Sequence, residues 1–447
     1  MKIIPSPPKN IKSLTLLERD LIFNSIQDED EEGLQWLEKL RKFTSFHNRN
    51  LKKVSKVKFK EQSNNHLLWL REIFINKITQ NQNQNLKIDA SIINAALIAN
   101  DACPNDQAYN EQLESILSDL ELKLHNETPL DLNIPSQSNR FLYSFRKWRS
   151  SKLKKIPVII FCPSPFSLFS ITVLKILLCL NIPIKSVVIL KFSPSRIKSE
   201  LYRDGFSLFF KRVWRKLVLK SDENSDESKI SLKFLKDSLA PEVSDIRTLT
   251  RSNNIHCVSV KNFEKSLILD INPKGDICIF TGGGLINSKI LEYFSHGIIN
   301  IHMGPLPQYK GMDVVEAPIL DGCFDSVALT AHLMEVSLDA GPVISEIVFS
   351  SDEYKSLGEL RNEMGALVPI LAVDALISIL SLDFKPINQV KLGQQYYFIH
   401  SNLREIIFRV MLKRYQLSRS RKILLRKEKL KLFENVLKDL SIFTKKI

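Results

Sequence analysis

No two of the six cysteines, at 103, 162, 179, 257, 278 and 323, are spaced Cys-x-x-Cys. That removes zinc-ribbon and thioredoxin-like chemistry, and the sequence offers no other metal-ligand pattern. Several of these thiols lie in apolar runs, where a free cysteine behaves as a small hydrophobe, the usage expected of a reducing compartment. Residues Met1 to Pro8 lack the apolar core of a signal peptide. A cytoplasmic protein is therefore expected. No Gly-Lys-Ser/Thr closes a phosphate loop, and no Gly-x-Gly-x-x-Gly opens a dinucleotide site. The longest apolar run, Val158 to Leu180, is interrupted by Pro163, Pro165 and Lys175. It reads as a buried strand, a loop and a core helix from about Ser167, so no transmembrane segment is expected.

What is present is a chain of 447 residues, 44% hydrophobic and 25% charged, with a formal net charge of +14. That length suits two or three domains. The positive charge is concentrated at one end: from Arg404 onward, fourteen Lys or Arg stand against four acidic residues. Such an end can attract RNA or an acidic membrane, or it can be a solvated helical tail. Two more basic stretches, Phe141 to Arg149 and Lys211 to Lys216, leave the same choice open between nucleic-acid contact and an ordinary helix face.

Periodicity divides the chain into three parts. Residues 1–150 read as an α-helical extension with a polar linker. Within it, Asn110 to Leu124 repeats apolar residues at helical spacing, and Gln80 to Asn85 is a polar, Asn/Gln-rich loop. Residues 151–390 alternate strand and helix. Strands are expected at Ile156–Cys162, Ile184–Leu190, Cys257–Val260, Ile277–Phe280, Ile298–His302 and, with alternation, Val327–Met334. Helices are expected at Val243–Ser252 and Gly358–Leu382. The order implies an α/β fold, a mostly parallel sheet with helices on both faces. Residues 391–447 form a basic, helical tail.

The most informative stretch ends the strand at Ile298–His302. Asn300 and His302 are two residues apart, so a strand directs both to one face. They stand at the strand's carboxyl end, where ligands of such sheets bind. An amide and an imidazole together suit an oxyanion. Pro305 and Pro307 then turn the chain sharply. Downstream, Leu338-Asp339-Ala340-Gly341 places a carboxylate in a turn. An Asn, a His and an Asp on one pocket is a site for acyl-type transfer. Glu316 and Asp313 are expected to cap the following helix, and His332 to have a structural or supporting role.

Asn300, His302, Pro307, Tyr309 and Gly311, followed by Asp339 and Gly341, resemble the folate-dependent formyltransferase family over about 155–385. Its members include the methionyl-tRNA, glycinamide-ribonucleotide and amino-sugar formyltransferases. The spacing of the family's Asn-x-His-x-Ser-Leu-Leu-Pro-x-Tyr-Arg-Gly pattern is intact, with Gly304 and Pro305 at the usual Ser-Leu and Lys310 at the usual Arg. The resemblance implies a Rossmann-like catalytic domain that moves a formyl group from 10-formyltetrahydrofolate to an acceptor amine, without a metal. It implies Asn300, His302 and Asp339 as catalytic residues, with Asn300 and His302 donating to the oxyanion and Asp339 ordering the proton relay. Gly283, Gly284, Leu285, Ile286, Val336, Leu338 and Gly341 would border the folate. Gly304, Pro305, Tyr309, Lys310 and Gly311 would form the substrate loop. Methionyl-tRNA, a small amine such as an amino-sugar nucleotide, tRNA or another RNA, and folate are the implied partners. Two alternatives stay open: a deformylase that uses water as acceptor, and a non-catalytic RNA- or protein-binding descendant of the fold.

Overall fold

The computed structural model describes Ala90, Ile93, Asn94, Leu97 and residues 107–127, 154–191, 245–261, 263, 271–282, 286, 288–311, 314–381, 384–389, 393–396 and 399–417. The Gln80–Asn85 loop, the basic stretches at 141–149 and 211–216, and Gly283, Gly284, Leu285 and Asp313 lie outside the described residues, as do 418–447.

Strand β1 (Val158–Cys162) is buried at every position. It pairs in parallel with β2 (Ile184–Leu190) on one side and β4 (Ile277–Phe280) on the other. Strand β3 (His256–Val260) extends the sheet beyond β2, and β5 (Ile298–His302) extends it beyond β4, all in parallel. The chain builds outward from β1 to β3, then returns to the far side of β1. This reversal opens a crevice beyond the carboxyl ends of β1 and β4. Strands β7 (Val327–Leu333) and β8 (Val343–Phe349) complete the order β3-β2-β1-β4-β5-β7-β8, with β7 antiparallel to both neighbours. Strand β6 (Tyr309–Gly311) leaves this sheet and pairs in parallel with β9 (Gln394–Tyr396).

Alternate residues of β1 feed two apolar clusters. Val158, Ile160 and Cys162 pack on one face, and Ile159 and Phe161 on the other. That is why the strand reads as a continuous apolar run. Strand β7 follows the same logic. It is buried at six successive positions rather than alternating as expected, because strands flank it on both sides and both its faces are covered.

Helix α2 (Leu168–Cys179) starts where Ser167 Oγ accepts the Ser170 amide at 3.3 Å. Asp245 caps the short α3 (Ile246–Ser252) in the same way, and α4 (Ser288–Leu291) leads into β5. Helix α6 (Leu357–Leu380) begins at Ser356, whose Oγ accepts the Glu359 amide, while Glu359 reaches back to the Lys355 amide at 2.8 Å. This reciprocal arrangement satisfies donors that a helix start leaves open. Among the described residues α6 is the one helix long and apolar enough to cross a membrane, and 83% of its most apolar window is buried inside the protein. It packs on β5, β7, β8 and α2, so its apolar character on every side matches a core position.

Helix α5 (Glu316–Leu320) corrects one expectation. Glu316 is its first residue rather than its N-cap, which is Val315, and its buried carboxylate faces Arg361 and Arg404. A carboxylate in an apolar environment needs cations more than a helix terminus needs another acceptor.

Two helices distant in sequence pack together. Leu113, Ile116, Leu120 and Leu124 of α1 (Gln107–Asn126) share one apolar cluster with Leu403, Ile406, Ile407, Val410 and Met411 of α7 (Ser401–Leu417). Arg409 forks onto both oxygens of Glu121 at 2.8 and 2.7 Å. The buried Arg414 donates to both oxygens of Asp352, at 2.7 and 3.0 Å, and to the Glu127 carbonyl at 2.6 Å. Its guanidinium also lies 3.6 Å from the Phe324 ring centre. The described part of the basic end thus directs Arg404, Arg409 and Arg414 at carboxylates of this chain.

Candidate active site

Ile298 and Ile299 are fully buried on opposite faces of the sheet and lock the register of β5. That register sets Asn300 opposite His332 and His302 opposite Thr330 on β7. Antiparallel partners present their side chains on the same face, so the four side chains form two rungs. Asn300 Nδ2 lies 3.1 Å from His332 Nε2. His332 Nδ1 faces the Leu333 carbonyl at 2.9 Å. A carbonyl only accepts, so Nδ1 carries the proton and Nε2 accepts from the Asn300 amide. Burial holds the His332 imidazole well below the ordinary histidine range, against the opposing pull of Asp339. His332 therefore serves as a neutral acceptor, and it leaves the second amide proton of Asn300 without a protein partner among the described residues.

Asp339 meets both histidines. Its Oδ2 is 3.5 Å from His302 Nδ1, and its Oδ1 is 3.7 Å from His332 Nε2. Oδ2 also accepts the Gly311 amide at 3.0 Å. The carboxylate caps nothing in its own turn; its partners come from β5, β6 and β7. Its backbone sits at φ +50°, in the left-handed region that aspartate tolerates better than most side chains but still occupies at a cost. Gly341 is required two residues later, because a Cβ there would lie 1.9 Å from the Leu333 carbonyl oxygen.

The other nitrogen of His302, Nε2, is 2.8 Å from the Tyr309 carbonyl. Both ring nitrogens thus face oxygens of the protein. The sequence led us to expect His302 to donate to an oxyanion; in this structure the donor left over is Asn300, and His302 joins Asp339 to the substrate loop. The loop crosses close to the imidazole at Gly304. A Cβ there would meet Val314 Cγ2 at 2.8 Å and His302 Nε2 at 3.0 Å. The Pro305 carbonyl accepts the Tyr309 amide at 3.0 Å and closes the turn. The Tyr309 hydroxyl points away, donating to Asp321 Oδ2 at 3.0 Å. Lys310 is buried; burial pulls its ammonium below the usual lysine range, offset by Asp339 and Glu335.

Of the expected folate-bordering residues, Ile286 is half-buried and Gly341 buried. Val336 is 79% and Leu338 46% exposed, two apolar side chains flanking the turn that carries Asp339. Residues that sequence reasoning did not find are the Tyr309 carbonyl, Thr330 and Gln389. The last donates to the carbonyls of Asp339 and Gly341 at 3.0 and 2.6 Å.

The Thr330 hydroxyl reaches the Gly304 carbonyl at 2.8 Å and Glu346 Oε1 at 3.3 Å. Burial lifts the Glu346 carboxyl to about 7, opposed by the Thr330 hydrogen bond. Between the ordinary carboxylate range and about 7 the folded chain holds a proton that the unfolded chain has lost. Stability from this group is complete below that window and is lost as pH rises through it. Unfolding of wild type and Glu346→Gln from about pH 5 to about pH 8 should show wild type losing on the order of 2 kcal/mol relative to the variant. A gap independent of pH contradicts this assignment.

Residues 267–376 match the formyl transferase family. The methionyl-tRNA formyltransferase of Syntrophomonas wolfei is 35% identical over 104 residues, 23% of this chain and 33% of that protein. That of Magnetococcus marinus is 31% identical over 120 residues, 27% of this chain and 38% of that protein. The chain thus spans about a third of the length of these curated relatives. Among solved structures, the phosphoribosylglycinamide formyltransferase of Bacillus halodurans is 14% identical, covers 51% of this chain and 96% of its own, and has a TM-score of 0.33. A TM-score of this size adds nothing to the strand order above. The matched segment contains Asn300, His302, His332 and Asp339, and ends before Gln389.

Proposed function

We propose that this chain, which belongs to the formyl transferase family through residues 267–376, transfers a formyl group from 10-formyltetrahydrofolate to an acceptor amine. The observation that carries the reading is the convergence of Asn300, His302, His332 and Asp339 from three elements, with one amide proton of Asn300 left unpaired among the described residues. The folate supplies a formyl carbon bonded to nitrogen. The exposed Val336 and Leu338 can pack against a face of the pterin, whose polar edge needs hydrogen-bond partners, and burial of these two side chains would be stabilising.

In the reaction the acceptor nitrogen bonds to the formyl carbon, the carbon–nitrogen bond to the folate breaks, and one amine proton passes to the leaving nitrogen. Negative charge develops on the formyl oxygen, and the free N–H of Asn300 is the donor for it. His332 fixes the orientation of that amide. Asp339, beside His302, is the acceptor through which the amine proton moves. Lys310, Gly304 and Pro305 border the acceptor. A methionyl-tRNA or a small amine such as an amino-sugar nucleotide fits this chemistry equally. Contact with tRNA or another RNA belongs to basic segments beyond the described residues, since the arginines of α7 are engaged internally.

The test is an acceptor screen with the full chain and 10-formyltetrahydrofolate, using methionyl-tRNA, an amino-sugar nucleotide and glycinamide ribonucleotide. A formylated product with one of them is expected. Formate release that is indifferent to every amine would identify a hydrolase instead, and no consumption of the donor would overturn the reading.

A further inference from the structure

We infer that Gln389 is a positioning residue for the Asp339 carboxylate, supplied from beyond the family segment; the inference rests on the formyl-transfer reading above. Gln389 Nε2 donates to two carbonyls of the turn, Asp339 at 3.0 Å and Gly341 at 2.6 Å. The amide cannot be turned around, because its oxygen would then face two acceptors with no donor between them. Both of its protons are therefore spent on the turn.

The local register explains why this side chain arrives there. Val343 and Ile387 exchange two backbone hydrogen bonds of 2.8 Å in an antiparallel bridge. Continuing that register by two residues sets Gln389 opposite Gly341. Gly341 has no side chain, so the glutamine amide reaches the backbone directly. The strap at 384–389 thus closes over the start of β8 and clamps the turn from outside.

Two features mark the clamp as more than packing. Asp339 holds a left-handed φ of +50°, a conformation that aspartate tolerates at some cost and that contacts to the turn backbone help to keep. The far end of the amide, Gln389 Oε1, is buried without a hydrogen-bond partner, an unfavourable state that a natural structure keeps only where the other end of the group is needed. By holding the Asp339 and Gly341 carbonyls that follow the left-handed step, Gln389 fixes the direction of the carboxylate. That direction sets the 3.5 and 3.7 Å approaches to His302 and His332.

The test uses the full chain with Gln389→Ala, Gln389→Glu and Gln389→Lys. Glutamate keeps the shape but loses both donors; lysine restores donors to the two carbonyls. Gln389→Ala and Gln389→Glu should lower kcat roughly tenfold to a hundredfold, the cost of misplacing a reacting group, with the acceptor KM unchanged. Gln389→Lys should recover part of the loss. Adding Gln389→Ala to Asp339→Asn should cost nothing further, because both act through one carboxylate. Wild-type kcat in the first two variants, a loss confined to KM, or full additivity with Asp339→Asn would overturn the inference. If wild type itself transfers no formyl group, the functional reading fails, and the clamp is judged separately by NMR of isotope-labelled histidines. Shifted His302 and His332 imidazole resonances in Gln389→Glu support it, and unchanged ones overturn it.

Discussion

Asn300→Ala is expected to lower kcat for formyl transfer by roughly a hundredfold to a thousandfold, the cost of one preorganised oxyanion donor. The argument comes from hydrogen-bond accounting. His302 has both ring nitrogens directed at protein oxygens, and His332 Nε2 is occupied by Asn300. The remaining amide proton of Asn300 is unpaired among the described residues and is the donor the reading assigns to the oxyanion. Because the interaction strengthens as charge develops, its loss should appear in kcat and kcat/KM together, with KM little changed. The substitution also leaves His332 Nε2 without its donor, so Asn300→Asp is the sharper companion. It preserves shape and replaces the donor with an acceptor, and it should be at least as slow as alanine. Steady-state rates with the acceptor identified by the screen decide the matter.

The second large effect is on stability. Arg414→Ala should destabilise the fold by roughly 3–5 kcal/mol, the penalty for leaving a buried charge uncompensated. Asp352 is almost fully buried, and the fork from Arg414 covers both of its oxygens. The same guanidinium satisfies the Glu127 carbonyl at the end of α1 and covers the Phe324 ring. Loss of one side chain therefore removes a link between the end of α1, helix α7 and the segment after β8, and leaves the Asp352 carboxylate buried. Denaturant unfolding of wild type, Arg414→Ala and Asp352→Asn/Arg414→Met checks this. The double variant removes both charges and should recover much of the loss, since the penalty lies in the unpaired ion. Equal stability of Arg414→Ala and wild type would show that these elements do not depend on this pair.

Much of the site could be read from the sequence because its information is local. Ile298-Ile299-Asn300-Ile301-His302 carries its own strand signal and its own face, and the following glycine and prolines mark where it must stop. Asp339 stands out through the glycine two residues on. His332 is legible as a strand histidine with a structural or supporting role; its pairing with Asn300 depends on a register set by the burial of residues on two strands. Strand β8 escaped notice because Ser345 and Glu346 interrupt its apolar residues, and Glu346 points at Thr330 rather than at solvent. The apolar face of α7 is masked in the same way. Its arginines suggest a solvated basic tail, while Leu403, Ile406, Ile407, Val410 and Met411 are all buried. Gln389 had no local signal at all: a glutamine after a long helix carries no pattern, and its role exists only through partners near position 340.

The central claim concerns Asp339, which links the two histidines and accepts the proton of the attacking amine. It is tested most directly by the single-turnover rate of formyl transfer in Asp339→Asn beside wild type, both at neutral pH and both shown to be folded. Asparagine keeps the size of the side chain and can still accept the Gly311 amide, but it has neither the charge nor the basicity. The account predicts a rate at least about a hundredfold below wild type. Transfer by Asp339→Asn at the wild-type rate would contradict it.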